Sequence, residues 1–232
     1  MNTSQFSLDE IAQIHSLNIS KNPMGTDKCF PKKYTSLVYE DIFKNFREKR
    51  IKVLEIGVRT GASLKLMVEY SNSWEITGID ISDKDFVSQF IEDPRIKITM
   101  GNAYSRQISD SIQEKFDFII DDGPHSLSSQ VYTVKNYLEK LTPGGFLFVE
   151  DIIGGKPYIF QILECVPRNF SAKIYDLRDI TKVNDSIVIA IHRKNQGENY
   201  FEDTEKWRKF IRVRVRTYRL LGWLGLKRFK LN

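Results

Sequence analysis

The run Lys52-Val53-Leu54-Glu55-Ile56-Gly57-Val58-Arg59-Thr60-Gly61-Ala62-Ser63-Leu64 leaves few folds open. A short apolar stretch ends in an acid, turns through two glycines and passes into a helical pattern over about 62–70. Continuous apolar runs suit strands buried on both faces, and glycine lets a backbone approach a ligand where a side chain would intrude. Strand, tight turn and helix start together make the unit with which doubly wound α/β proteins bind nucleotides at the carboxyl edge of a parallel sheet. Arg59 occupies one of the places where such a turn ordinarily has glycine, and many strand-turn-helix units bind nothing, so this turn alone leaves a purely structural role open.

The rest of the chain repeats the alternation. Strands are predicted at 75–80, 96–100, 116–121 and 146–150, with helices at 84–91, 105–115, 127–138 and 157–166 between and after them. Segments 172–177 and 186–191 read as an edge pair joined by a polar hairpin. Ahead of the first strand, Phe6, Leu8, Ile11, Ile14 and Leu17 are spaced as one face of a short helix, and a second helical pattern covers 35–49. The expectation is a Rossmann-like α/β domain: a mostly parallel seven-stranded sheet, helices on both faces and an antiparallel edge strand. Residues 1–50 would form a helical cap, 51–195 the core and 196–232 a basic amphipathic C-terminal segment.

Two acidic clusters fall at strand ends: Asp121-Asp122-Gly123-Pro124-His125 and Glu150-Asp151. If their strands are neighbours, both open on the edge that carries the glycine turn. Crowded carboxylates are unfavourable unless a cation compensates, and hard oxygen donors suit Mg²⁺ or a similar ion. Ordinary turn chemistry also explains an Asp-Asp-Gly sequence. His125 gains interest from its place beside these acids, because an imidazole can act as a base near neutrality. Asp80, at the end of the second strand, can accept ribose hydroxyls, and Gly101-Asn102-Ala103 after the third could contact a base.

Charge is distributed unevenly. Residues 206–232 hold ten Lys or Arg and no acid, leaving 25 basic against 30 acidic residues elsewhere. A local partner for the tail fits this better than a globally nucleic-acid-binding surface. Residues 207–232 read either as a helix on an anionic membrane or as one docked on the body. No apolar stretch approaches the length of a membrane span, and the polar Met1–Ile11 lacks an apolar signal region, so a cytoplasmic protein is predicted, with the tail allowing peripheral contact at the inner face of the membrane. Cys29 and Cys165 form no metal or redox motif.

With these residues in view, the chain resembles the class I S-adenosylmethionine-dependent methyltransferases. More narrowly, it is similar to the metal-dependent sugar O-methyltransferases related to macrolide-glycoside methyltransferases and cephalosporin hydroxylase-like proteins. The matching pieces are Gly25-Thr26-Asp27-Lys28, Val53 to Val58, Gly61 to Leu64, Gly78-Ile79-Asp80-Ile81, Ile119 to His125, and Pro143-Gly144-Gly145 leading to Val149-Glu150-Asp151. Arg59, Pro124 and Asn102-Ala103 depart from the pattern. The resemblance implies that Asp122, Glu150 and Asp151 hold Mg²⁺ and that His125 is the general base. It also implies that Glu55, Gly57, Gly61, Ser63, Asp80, Gly101, Asn102 and Asp121 bind S-adenosylmethionine. The acceptor would be a sugar hydroxyl of a glycan or glycosylated metabolite. Nucleic acid is not expected as a partner, and a homo-oligomer is left open. A non-catalytic nucleotide-binding or scaffold module, docking on a membrane or partner through the basic tail, is the rival reading. A third, an RNA methyltransferase, rests on the tail alone and lacks an Asn-Pro-Pro-Tyr-like motif after the fourth strand.

Overall fold

A computed structural model describes residues 5–195 and 200–201. The amphipathic tail assigned to 207–232 therefore lies outside the described residues. Seven strands form one sheet in the order β3-β2-β1-β4-β5-β7-β6. They are β1 (Ile51–Ile56), β2 (Trp74–Asp80), β3 (Ile96–Met100), β4 (Phe116–Asp121), β5 (Leu141–Val149), β6 (Phe170–Asp176) and β7 (Ile187–Arg193). Pairings among β1 to β5 are parallel, and β7 runs antiparallel to both β5 and β6. The antiparallel strand thus sits one place in from the edge, and β6 is the edge strand.

Helices pack on both faces: α1 (Leu8–Ile14), α2 (Glu40–Phe43), α3 (Ala62–Tyr70), α4 (Ser88–Ile91), α5 (Arg106–Ser111), α6 (Leu127–Tyr137), α7 (Lys156–Glu164) and α8 (Arg178–Thr181). Along β5, Phe146 and Phe148 belong to one apolar cluster, while Leu147 and Val149 belong to the other. Val188 and Ala190 of β7 divide from Ile187, Ile189 and Ile191 in the same way. Both faces are buried, which is why these strands read as continuous apolar runs rather than alternating ones.

The N-terminal segment packs directly on the sheet. Ser7 caps α1 through a reciprocal bond with Glu10, and Leu8, Ile11 and Ala12 are buried. Residues 35–49 are not one helix: a π-helical turn over Thr35–Tyr39 leads into the four-residue α2. That geometry sets Phe43 4.6 Å from Phe118 and 5.0 Å from Trp74, ring centroid to centroid, with Tyr39 4.9 Å from Phe148. Aromatic packing against the sheet outweighs the local preference for a longer regular helix. The pattern over 84–91 likewise yields only α4, and that over 105–115 stops at Ser111, with Ser105 as the capping residue. Pro143-Gly144-Gly145 lies within β5, which begins at Leu141, earlier than the strand predicted at 146–150.

Register places the functional edge. Ile56 pairs with Asp121, and Asp121 with Val149, so Gly57, Asp122 and Glu150 leave the sheet at one level. Their amides extend the ladder by one step each: Gly57 to the Ile79 carbonyl (2.9 Å), Asp122 to that of Ile56 (2.9 Å), and Glu150 to that of Asp121 (3.1 Å). Gly57 has φ +90°, and a Cβ there would lie 2.2 Å from the Asp122 carbonyl oxygen. Gly144 has φ +83° but open space around it. Gly57→Ala is accordingly expected to cost more than about 2 kcal/mol and Gly144→Ala about 1 kcal/mol. Urea denaturation of the two variants side by side measures the difference; equal losses would remove the steric argument for Gly57.

Candidate active site

A cavity of about 770 Å³ opens along this edge, on the side where the strand order reverses between β1 and β4. Its wall includes Gly57 to Thr60, Ser63, Asp80, Gly101 to Tyr104, Asp122 to Ser126 and Asp151. Gly25, Thr26 and Asp27, from the N-terminal segment, also line it.

Asp80 sets the shape of the glycine turn. Its Oδ2 accepts from the Val58 and Arg59 amides at 2.8 and 2.9 Å, and its Oδ1 from Ser82 at 3.1 Å. Glu55 sits below the turn, fully buried, with both oxygens 2.7 Å from the Ser63 hydroxyl. Asp121 also lies under the cavity: Tyr104 donates to its Oδ1 at 2.5 Å, and burial raises its pKa. Gly57, Ser63, Asp80, Gly101, Asn102, Asp122, His125 and Asp151 therefore face the cavity, while Glu55, Gly61, Asp121 and Glu150 lie behind its wall.

The acids at the ends of β4 and β5 do not stand alone. Lys28 reaches in from the N-terminal segment, almost wholly buried, with its Nζ 2.6 Å from Asp122 Oδ2, 2.5 Å from Glu150 Oε2 and 3.5 Å from Glu55 Oε1. Burial of the ammonium opposes its charge, but the three carboxylates outweigh that and hold its pKa well above the lysine range. Lys32 pairs with Asp151 and lies 3.5 Å from Asp27 and 3.4 Å from Asp185. Tyr34 donates to Asp151 Oδ1 at 2.7 Å, Tyr39 donates to Glu150 Oε1, and the Gln130 amide of α6 reaches the Glu150 carbonyl at 3.0 Å. Glu150 thus has each oxygen engaged from behind the wall.

Asp122, His125 and Asp151 each offer one ligand atom, all within 4.8 Å of one another. Glu150 stands outside this trio. His125 Nε2 lies 3.5 Å from Asp151 Oδ2. Arg59, His125 and Asp151 have φ of 52°, 55° and 56°, so three cavity residues are held in the left-handed region that side chains generally avoid.

Lys28, Lys32, Tyr34, Tyr39, Tyr104 and Gln130 are site residues to which sequence reasoning gave no role. The signal for Lys28 was its place in Gly25-Thr26-Asp27-Lys28; nothing local marks the others.

Residues 54–152 match the family model described as a methyltransferase domain. Among curated relatives, it is 33% identical over 139 residues to 8-demethyl-8-alpha-L-rhamnosyl tetracenomycin-C 2'-O-methyltransferase of Streptomyces olivaceus, covering 55% of this chain and 35% of that protein. Mycinamicin VI 2''-O-methyltransferase of Micromonospora griseorubida is 29% identical over 124 residues, 49% of this chain and 30% of that protein. The chain therefore spans only about a third of these relatives' length. Its fold is that of the MycE methyltransferase from the mycinamycin pathway, solved with Mg, SAH and mycinamycin VI, at TM-score 0.63 and 21% identity over 85% of this chain and 57% of that one. An O-methyltransferase from Bacillus cereus, solved with SAH, aligns at TM-score 0.56 and 19% identity over 81% of this chain and 90% of that one. No helix among the described residues is long and apolar enough to cross a membrane.

Burial raises the Glu55 pKa from 4.5 to about 7, with Lys28 pulling the other way. The folded protein then holds this proton more tightly than the unfolded chain. The resulting stabilisation is full below about pH 4.5 and is lost as pH rises through about 7. Glu55→Gln is expected to remove that slope, on the order of 3 kcal/mol between pH 4.5 and 8, in urea melts across this range. Lys28→Met, which leaves three carboxylates without their cation, is expected to cost about 3–5 kcal/mol at neutral pH, measured in the same way.

Proposed function

We propose that this protein transfers a methyl group from S-adenosylmethionine to a sugar hydroxyl of a glycan or glycosylated metabolite, assisted by a divalent metal. The observation that carries this reading is the convergence of the Asp80-bound glycine turn and the Asp122-His125-Asp151 trio on one cavity. The sugar O-methyltransferase names of the relatives, and the Mg and SAH in the MycE complex, support the choice of donor, ion and acceptor class.

The residues present fit a divalent cation. Asp122 and Asp151 supply hard oxygen donors within 4.8 Å of each other, and His125, within the same distance, is left to handle the acceptor's proton beside them. Glu150, implied as a third ligand by the resemblance, would join them only by sharing oxygens now bonded to Lys28 and Tyr39. An ion held by Asp122 and Asp151 would supply Lewis acidity for deprotonation of the acceptor hydroxyl.

The chain's own residues do the rest. Ser63 and Gly57 line the part of the cavity suited to the methionine end of the donor, and Asp80 the part suited to its ribose. His125 takes the hydroxyl proton at Nε2, and Asp151, 3.5 Å away, stabilises the imidazolium that forms. Oxygen then attacks the sulfonium methyl in line as the methyl–sulfur bond breaks, its electron pair staying on sulfur to leave S-adenosylhomocysteine, and the chief contribution of the protein is to hold the two reactants in that alignment.

Labelled donor, Mg²⁺ and candidate glycans should give methylation that a chelator abolishes. His125→Ala should lower turnover by about 100-fold or more while donor binding persists. Activity that survives both chelation and Asp122→Ala would sink the metal assignment. Absence of S-adenosylmethionine binding at millimolar concentration in calorimetry would favour a non-catalytic module instead.

A further inference from the structure

Arg59 has a place in the fold that its chemistry does not explain. It interrupts the glycine turn, adopts φ 52°, and lines the cavity between Val58 and Thr60, both of which are buried. Its amide is fixed on Asp80 Oδ2 at 2.9 Å, so the backbone from which the side chain departs is rigidly placed. The guanidinium makes no hydrogen bond, ion pair or ring contact with any described residue, as is also true of the exposed Arg50, Arg106 and Arg168, but of these four Arg59 alone lines the cavity.

The charge of the cavity wall sharpens the point. Asp27, Asp80, Asp122 and Asp151 line it, and Arg59 is the permanent cation among its described lining residues. Lys28 and Lys32 lie behind the wall, already paired with carboxylates. S-adenosylmethionine carries two cations, the sulfonium and the α-ammonium, and one carboxylate. Acids on the wall complement the first two. The carboxylate needs a cation, and a guanidinium binds it with two parallel hydrogen bonds.

We propose that Arg59 binds the α-carboxylate of S-adenosylmethionine, making it a specificity-determining residue for the donor at the position where a nucleotide turn ordinarily has glycine. The assignment rests on the methyltransferase reading given above. It accounts for an arginine held in a backbone conformation that glycine would adopt without strain.

The test is calorimetric and independent of catalysis. The full chain, its Arg59→Met variant and its Arg59→Lys variant are titrated with S-adenosylmethionine and with decarboxylated S-adenosylmethionine, which keeps the nucleoside, sulfonium and amine. Arg59→Met should weaken S-adenosylmethionine by about tenfold, the value of one charge-assisted contact, and leave the decarboxylated ligand unchanged. Arg59→Lys, retaining the charge without the fork, should fall between. Equal losses for both ligands, or no loss for either, overturn the proposal while leaving the methyltransferase reading intact. If the wild-type chain binds neither ligand, that reading fails and the proposal fails with it.

Discussion

Three carboxylates from three strands of one sheet converge on the ammonium of Lys28, and much of the architecture follows from that contact. Parallel strands ending at one level bring Glu55, Asp122 and Glu150 together, and burial would make their mutual repulsion costly without an internal cation. Lys28 arrives from a segment that precedes the sheet, held by a bridge between Asn18 and Thr26 and by the packing of Leu17, Tyr34 and Val38. The N-terminal segment is therefore tied to the carboxyl edge electrostatically as well as to the sheet face through Phe43.

That arrangement divides the acids into two groups. Glu55 and Glu150 are turned inward, where Ser63, Lys28 and Tyr39 engage them. Asp80, Asp122 and Asp151 remain at the cavity, each fixed by at least one protein contact that leaves it accessible to a ligand. The inward group maintains the shape of the floor, and the outward group is the one that lines the cavity and on which the proposed chemistry rests. Left-handed backbone at Arg59, His125 and Asp151 shows how tightly the loops are constrained where they face the cavity.

The sheet was legible in the sequence because apolar runs such as Phe118 to Ile120 and Phe146 to Val149 have no stable alternative to burial on both sides. The glycine turn was legible because Gly57 meets the Asp122 carbonyl, a contact that tolerates no side chain. Short elements were less so. The helical periodicity of 35–49 is real, but Tyr39, Phe43 and Phe46 obey the spacing of aromatic partners on β4 and β5 more than that of a continuous helix. Similarly, 84–91 is trimmed where the Val87 amide donates to the distant Thr60 carbonyl, and 105–115 ends where Lys140 Nζ donates to the Ile112 carbonyl.

The sequence by itself determined the fold class, the edge on which chemistry could occur and the acids that gather there, since all three depend on periodicity and on residues at strand ends. Tertiary structure decided which of those acids face the cavity. Lys28 is 94 residues from Asp122 and 122 from Glu150, and Tyr39 is 111 from Glu150. Contacts at such separations leave no periodic trace along a chain. A lysine in a polar stretch looks solvated until folding removes the water around it, and only then does its charge settle the roles of the carboxylates beside it.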